Sequence, residues 1–126
     1  MDIRPKQLAI SIGGFMGRSY SIVLSGNSLE YETQDRGYTN SRTELIAPTQ
    51  EQWAGFRTAL DSIRVWKWKE RYANPGVCDG TNWGVEIAYD DAQICSYGDN
   101  NFPKPRESFD RLMKAVQALI GGQDFE

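Results

Sequence analysis

The chain contains no histidine and only two cysteines among its 126 residues. Without an imidazole it has no Ser-His-Asp or Cys-His couple, no histidine metal ligand and no side chain that ordinarily titrates near neutral pH. Cys78 and Cys95 do not form a CxxC pair, so they cannot complete a structural zinc site within one chain. The sequence therefore predicts no metal and no cofactor, and an enzyme built from it would depend on carboxylates, lysine, tyrosine or an unaided thiol.

Long apolar runs are also missing, and the net charge is small. The chain has 14 Lys and Arg against 17 Asp and Glu, which gives a formal net charge of -3 and a pI near 5.0. The stretch 1–7 becomes polar where a secretory signal needs an apolar segment. We therefore expect one cytoplasmic domain over 1–126, with no membrane span and no global positive field that would attract nucleic acid.

Alternating apolar residues predict three antiparallel strands at the start of the chain. In each strand the apolar or β-branched positions are two residues apart: Leu8, Ile10 and Ile12; Tyr20, Ile22 and Leu24; Leu29, Tyr31 and Thr33. A turn at Gly26 and Asn27 would place Leu24 opposite Leu29. A fourth strand at a sheet edge is predicted over 43–47, where Pro48 stops it.

Two segments have the periodicity of helices. Thr49 and Gln52 fit a capping box, and the apolar residues that follow share one helix face: Trp53, Phe56, Leu60 and Ile63. A second helix is predicted over 105–120, with Pro105 in its first turn and Gly121-Gly122 as its stop. Because both helices are apolar on one side only, we predict an α+β domain: an antiparallel sheet of six or seven strands with two helices packed on one face, in the order β-β-β-(β)-α-β-β-β-α.

The segment between the predicted helices supplies the remaining three strands. Residues 65–72 are predicted to be extended, with the tryptophans on one side and the lysines on the other. Strands 83–89 and 93–97 are predicted to form a hairpin around Asp90-Asp91. Two registers fit this hairpin, and they place Cys95 on opposite faces, so its exposure is left open. A disulfide with Cys78 is not expected in a cytoplasmic chain.

Aromatic rings and cations are interleaved in one segment: Trp66, Lys67, Trp68, Lys69 and Arg71. This mixture is typical of proteins that bind single-stranded nucleic acid. The competing interpretation is an outer strand whose tryptophans face the core and whose lysines are solvated, and the acidic chain without an RNP-like motif favours it. Binding of single-stranded nucleic acid or of a small ligand in the region 66–83 is the alternative function.

Acidic residues are frequent in and around the predicted second hairpin. A hydrolase based on Asp79, Glu86 or Asp99, with or without a divalent cation, would need at least two of these side chains to converge in a pocket. The acidic pairs of this region are also ordinary turn sequences, and no EF-hand spacing is present. The turn interpretation is therefore favoured over a catalytic or metal site.

One ordered pattern covers roughly the C-terminal half of the chain. It consists of Trp66-x-Trp68, Tyr72, Asp79-Gly80, Trp83-x-Val85-x-Ile87 and Gly98-x-Asn100-x-Phe102-Pro103. The pattern resembles one found in small uncharacterised bacterial proteins and domains of unknown function. The resemblance implies a compact bacterial α+β domain and assigns no catalytic residue.

The absence of catalytic motifs and the abundance of aromatic residues favour a non-enzymatic interaction module of bacterial type. An inhibitor, an immunity-like protein or an accessory factor in defence or counter-defence would fit, and the partner would be another protein. The predicted contact residues lie on and beside two loops: Phe15 and Met16 in the first, and Asp99, Asn100 and Phe102 in the second, with Tyr97 nearby. For Phe102, a role as a plug of the core is the competing interpretation.

Overall fold

The computed structural model describes residues 3–14, 18–35, 41–73 and 81–125. Four strands come first: β1 (Gln7–Gly14), β2 (Ser19–Ser25), β3 (Ser28–Gln34) and β4 (Ser41–Ile46). They are followed by helix α1 (Gln50–Ile63), strands β5 (Arg71–Ala73), β6 (Thr81–Ala88) and β7 (Gln93–Asp99), and helix α2 (Arg106–Leu119). This order confirms the predicted α+β arrangement, with the fourth strand present.

The seven strands form one sheet in the order β4-β3-β2-β1-β6-β7-β5. Every neighbouring pair is antiparallel except β5 and β7, which are parallel. Strand β1 is central, because it pairs with β2 on one side and with β6 on the other. It therefore joins a meander built by the first four strands to the strands that follow α1.

Local sequence signals account for the first turn and the start of α1. Gly26 adopts a φ of +63° between β2 and β3, and Leu24 lies opposite Leu29 as predicted. The Thr49 hydroxyl accepts a hydrogen bond from the Gln52 amide at 3.1 Å. The Gln52 side chain in turn accepts one from the Thr49 amide at 2.8 Å, which completes the predicted capping box.

Both helices pack on one face of the sheet, which we call the covered face. Alternate residues of the central strands are buried there: Leu8, Ile10, Ile12, Tyr20, Ile22, Leu29, Tyr31, Trp83, Val85 and Ile87. The helices bury the matching apolar stripes: Trp53, Phe56, Leu60, Ile63, Phe109, Leu112, Met113, Val116 and Leu119. Each helix has 14 residues, and no helix in the described ranges is long and apolar enough to cross a bilayer.

The segment after α1 differs from its prediction as one extended strand over 65–72. Val65–Lys67 forms a single 3₁₀ turn, and β5 contains only Arg71–Ala73. Arg64 has a φ of 62°, so the chain reverses as it leaves α1, and this reversal places Val65 in the core. The alternation of tryptophan and lysine therefore does not reflect two sides of a strand.

Candidate interaction surface

No described element covers the second face of the sheet, which we call the open face. Its residues alternate in sequence with those of the covered face, and they are small near the centre: Ala9, Ser11, Ser21 and Gly84. Ser21, Ser11 and Gly84 lie side by side in one cross-strand row. The open face is therefore shallowly concave at its centre, where the side chains are small, and larger side chains lie on both sides.

The large apolar side chains that are exposed among the described residues all lie on the open face. They are Val23, Leu45 and Tyr97, at 42%, 67% and 42% exposure. Val23 and Leu45 flank Glu30 from the two neighbouring strands, while Tyr97 lies opposite Gly84. Concentration of exposed apolar side chains on a single face is typical of a binding surface.

Carboxylates lie among these apolar residues. One cross-strand row contains Leu45, Glu30, Val23, Ala9, Glu86 and Cys95. The next row contains Glu32, whose carboxylate accepts a hydrogen bond from the Thr43 hydroxyl at 3.5 Å. The strands thus place four carboxylates on the open face, those of Glu30, Glu32, Glu86 and Asp99. The one cation that the described strands place there is Arg71, beside Tyr97. The surface is therefore both apolar and acidic.

A hollow of about 480 Å³ opens on this face where β1 ends and β2 begins. Its floor is low because Gly13 has no side chain there, and a Cβ at this position would lie 2.4 Å from the Ser19 hydroxyl oxygen. The walls are polar and include Ser11, Glu32 and Asn82. The hollow is an open depression of the surface that could receive a protruding side chain of a partner.

Cys95 also lies on the open face. It pairs with Glu86, so the tighter of the two predicted hairpin registers is the observed one, and the thiol is exposed. Its Sγ is 3.9 Å from the Glu86 carboxylate. Partial desolvation, together with the carboxylates of Glu86 and Glu70, raises the pKa of the thiol. Cys95 is therefore held as a thiol at neutral pH rather than as a nucleophilic thiolate. Cys78 lies outside the described residues.

The residues predicted as contact loops have different surroundings. Tyr97 and Asp99 are exposed on the open face. Asn100 adopts a φ of 52°, and its amide donates to the Thr81 carbonyl at 2.8 Å, so this residue forms the turn after β7. Phe15 and Met16, the first predicted loop, lie outside the described residues.

Phe102 closes the edge of the core. Its ring is stacked on that of Trp83, with centroids 6.4 Å apart, and meets Phe109 edge-on at 4.9 Å. The Arg106 guanidinium lies 3.8 Å over its outer side. With one side against the core and the other under a cation, Phe102 occupies the position of the plug that leads into α2.

The tryptophans of the alternative nucleic-acid segment belong to two separate clusters. Trp66 meets Tyr89 edge-on at 5.9 Å, and its indole N–H donates to the Asp61 carboxylate at 2.8 Å. Trp68 instead meets Trp83 edge-on at 5.9 Å. The cations of this segment are exposed: Lys67, Lys69 and Arg71. Because the two rings are engaged in different places, they do not form one platform on which successive bases could stack.

A charged and aromatic cluster connects α1 to the β6–β7 turn. The Arg57 guanidinium donates two hydrogen bonds to the Asp91 carboxylate, at 3.0 and 2.9 Å, and a third to Asp61 at 3.0 Å. It also lies 4.5 Å over the ring of Tyr89. The hydrogen bonds from Arg57 lower the pKa of Asp91, while burial raises the pKa of Tyr89 to about 12. The cluster fixes the hairpin against the helix.

The carboxylates considered for a hydrolase do not converge in the described part of the chain. Glu86 and Asp99 share the open face, but Asp99 lies opposite Asn82, four residues from Glu86 along β6. At about 3.3 Å per strand residue this separation is roughly 13 Å. Asp79 lies outside the described residues, in which no group of three or more metal-ligating side chains occurs.

Sequence reasoning did not identify Val23, Leu45 and Glu30 as surface residues. A signal was present, because the alternation that assigns Ile22 to the core assigns Val23 to the opposite face. An apolar residue at such a position is exposed unless a second layer covers that face. The prediction that both helices pack on one face already leaves the opposite face uncovered, so the exposure of Val23 follows from the two predictions taken together.

No known protein family model matches the chain, and no curated protein is significantly similar to it. The resemblance of the C-terminal half to small bacterial domains therefore stays a prediction. Arguments about function depend on the geometry of the open face and on the chemistry of the residues that form it.

Proposed function

We propose that the protein is a non-enzymatic interaction module whose open face binds a partner protein rich in basic side chains. The observation that carries this proposal is the concentration of Val23, Leu45 and Tyr97 on the helix-free face, among four carboxylates. Apolar side chains supply the binding energy of such surfaces, and complementary charge supplies orientation and a fast encounter. An inhibitor or immunity-like protein of bacterial type is the form of this function that we favour for an acidic chain of this size.

The open face is large enough for a specific complex. Seven strands spaced by about 4.8 Å span roughly 29 Å, and strands of this length extend about 20 Å. The resulting area of roughly 600 Å² approaches the 800 Å² or so that each partner contributes to a standard protein interface. The small central residues would allow a partner's side chains to approach the sheet backbone closely.

The chemistry of the open face supports binding more than catalysis. The Cys95 thiol has a raised pKa, and Glu86 and Asp99 lie too far apart to act on one bond. In contrast, the row that contains Glu30, Val23 and Glu86 offers alternating charge and apolar surface at fixed spacing. A partner with lysine or arginine side chains at matching spacing would pair with both carboxylates.

The test is an affinity purification from lysate of the source cells with three forms of the tagged chain. The first is the wild type, the second is Glu30→Lys/Glu86→Lys on the open face, and the third is Glu51→Lys/Glu107→Lys on exposed positions of the two helices. Each double variant adds four positive charges to the formal net charge of -3 and gives +1, so the two are matched in global charge. Circular dichroism establishes that all three are folded.

We expect one stoichiometric basic protein to be retained by the wild type and by the helix variant, and its binding to fall at least about tenfold in the open-face variant. Equal retention by both variants would contradict binding at the open face. Retention of nucleic acid instead, lost on Lys67→Glu/Lys69→Glu and weakened by salt, would favour the alternative function.

A further inference from the structure

The two edges of the sheet differ in their protection against pairing with another strand. Strand β5 is only three residues long and carries Arg71, and short charged edges resist further pairing. Strand β4 is six residues long, is regularly paired with β3 along its full length, and contains no proline. Its two charged residues, Arg42 and Glu44, have opposite signs, so they repel another strand less than a single uncompensated charge does. No described strand occupies its outer side, and Ser41 to Leu45 are exposed. The β4 edge is therefore free to accept a strand.

The sequence of β4 is complementary to itself in one antiparallel register. In an antiparallel pair, residues that lie opposite each other point to the same face of the sheet. A two-fold axis perpendicular to the sheet must therefore lie midway between the two copies of one residue, at which the register is centred. With the axis at Thr43, Arg42 lies opposite the partner's Glu44, and by symmetry the same pair forms twice. With the axis at Glu44, two glutamates would face each other. Opposite charges across neighbouring strands are favourable and like charges are unfavourable, so charge selects the register centred on Thr43.

The two side chains that this register brings together are available. Arg42 is exposed and makes no ion pair with the described residues. Glu44 is exposed and accepts one hydrogen bond, from the Gln123 amide at 3.0 Å. Its second carboxylate oxygen is left for a guanidinium. Both residues lie on the covered-face side of β4, because they alternate with Thr43 and Leu45 of the open face.

We propose that two copies of the chain associate by antiparallel pairing of their β4 edges, in the register centred on Thr43. Two sheets of seven strands would then form one continuous sheet of fourteen. The two helical layers lie on the same side of this sheet, and the two open faces become neighbours on the other side. The association uses an edge of the sheet, so it does not depend on what the open face binds.

Sedimentation velocity of the full chain over a range of concentrations tests the proposal. The wild type is expected to shift from the monomer mass of 14.3 kDa toward twice that mass as concentration rises. Arg42→Glu places two glutamates opposite each other, and Glu44→Arg places two arginines opposite each other. Each single variant should weaken dimerisation at least about tenfold.

The charge-exchanged double variant Arg42→Glu/Glu44→Arg restores both pairs and should recover the wild-type dimerisation constant to within about threefold. An equimolar mixture of the two single variants should also form a mixed dimer, because each supplies the charge that the other needs. Neither recovery occurs if the single variants act only by damaging the fold. If the axis instead lay at Glu44, position 42 would face Ile46 of the partner copy, and Arg42→Glu alone would leave dimerisation unchanged.

A wild type that remains a monomer at every concentration would overturn the proposal. So would single variants that dimerise as strongly as the wild type, or a folded double variant that stays monomeric. The open-face variant Glu30→Lys/Glu86→Lys serves as a control, because it should dimerise normally even if it has lost its partner protein. Failure of the dimer and failure of the proposed function are thus separate results.

Discussion

The two faces of the sheet are made by neighbouring residues of the same strands, yet their side chains have opposite roles. On β6, Trp83, Val85 and Ile87 are nearly inaccessible, whereas Gly84 and Glu86 between them lie on the open face. The covered face holds the hydrophobic cluster to which both helices contribute. The side chains on one side of each strand thus stabilise the fold. Those on the other side are not needed for core packing, so their identities can be determined by binding.

Removing Trp83 should cause the largest loss of stability. Its indole is 2% exposed, contacts Trp68, Phe102 and Phe109, and donates to the Asn101 carbonyl at 2.8 Å. Trp83→Ala would leave a large cavity and should lower the free energy of unfolding by about 3–5 kcal/mol. Denaturant titration measures this change, and a loss below about 1 kcal/mol would mean that the covered face is not the main source of stability.

Two strand glycines on opposite faces should respond differently to alanine. A Cβ at Gly98 would lie 2.3 Å from the Trp83 indole nitrogen and 2.5 Å from the Asn101 carbonyl oxygen, so Gly98→Ala should cost roughly 1–3 kcal/mol. A Cβ at Gly84 meets only the Ser11 hydroxyl at 3.5 Å. Gly84→Ala should therefore be neutral or stabilising by up to about 1 kcal/mol. Thermal unfolding of both variants measures these two changes in stability. Equal losses of stability would contradict the predicted difference between the two faces.

The ionisation of Tyr89 should affect stability only at high pH. Its pKa is raised to about 12 from a usual value of 10.0, and its hydroxyl has no hydrogen-bond partner among the described residues. Between these two values the unfolded chain has released the proton while the folded chain retains it, so stability falls as pH rises.

Tyr89→Phe has no such proton to release. Its free energy of unfolding should therefore rise relative to that of the wild type by roughly 2 kcal/mol between pH 9 and pH 12. At neutral pH Tyr89→Phe should be at least as stable as the wild type, because it removes a buried hydroxyl that has no partner among the described residues. Urea unfolding at several pH values follows the difference between them, and a difference that is independent of pH would show that the Tyr89 hydroxyl is solvated.

The smallest effects on stability are expected on the open face. Val23→Thr keeps a β-branched side chain and Leu45→Thr introduces one at an exposed strand position, and each should change the free energy of unfolding by less than about 0.5 kcal/mol. The same variants should weaken retention of the partner protein under our proposed function. Strong destabilisation by either one would indicate that a further layer of structure covers this face.

Much of the fold could be predicted because its signals are local. Alternation in the first three strands, the capping box at Thr49 and the apolar stripes of both helices each depend on residues close in sequence. The prediction for the segment 65–72 was wrong because its conformation depends on contacts that the residue spacing does not show. Val65 is buried in the common core, and Trp66 donates to Asp61 on α1, and neither contact is visible in the spacing of tryptophan and lysine.

The candidate surface was less accessible to prediction than the fold. Tyr97 was identified because exposed aromatic residues are frequent contacts. Val23 and Leu45 were not, although the predicted arrangement with both helices on one face already leaves the other face of the sheet uncovered. The order of the strands was also beyond local signals, because β1 and β6 pair across more than sixty intervening residues. The self-complementary charges of β4 could be recognised only once that strand was known to be an edge.

The position of β5 has a consequence for the order in which the sheet assembles. β5 precedes β6 in the sequence, but among the described strands its neighbour is β7. Its place in the sheet depends on β7, so it can be placed only after β7 has been synthesised, although it is the first of these three strands to be made. With only three paired residues, it should also be the first strand to open in hydrogen exchange. Synthesis and folding thus follow different orders along this chain.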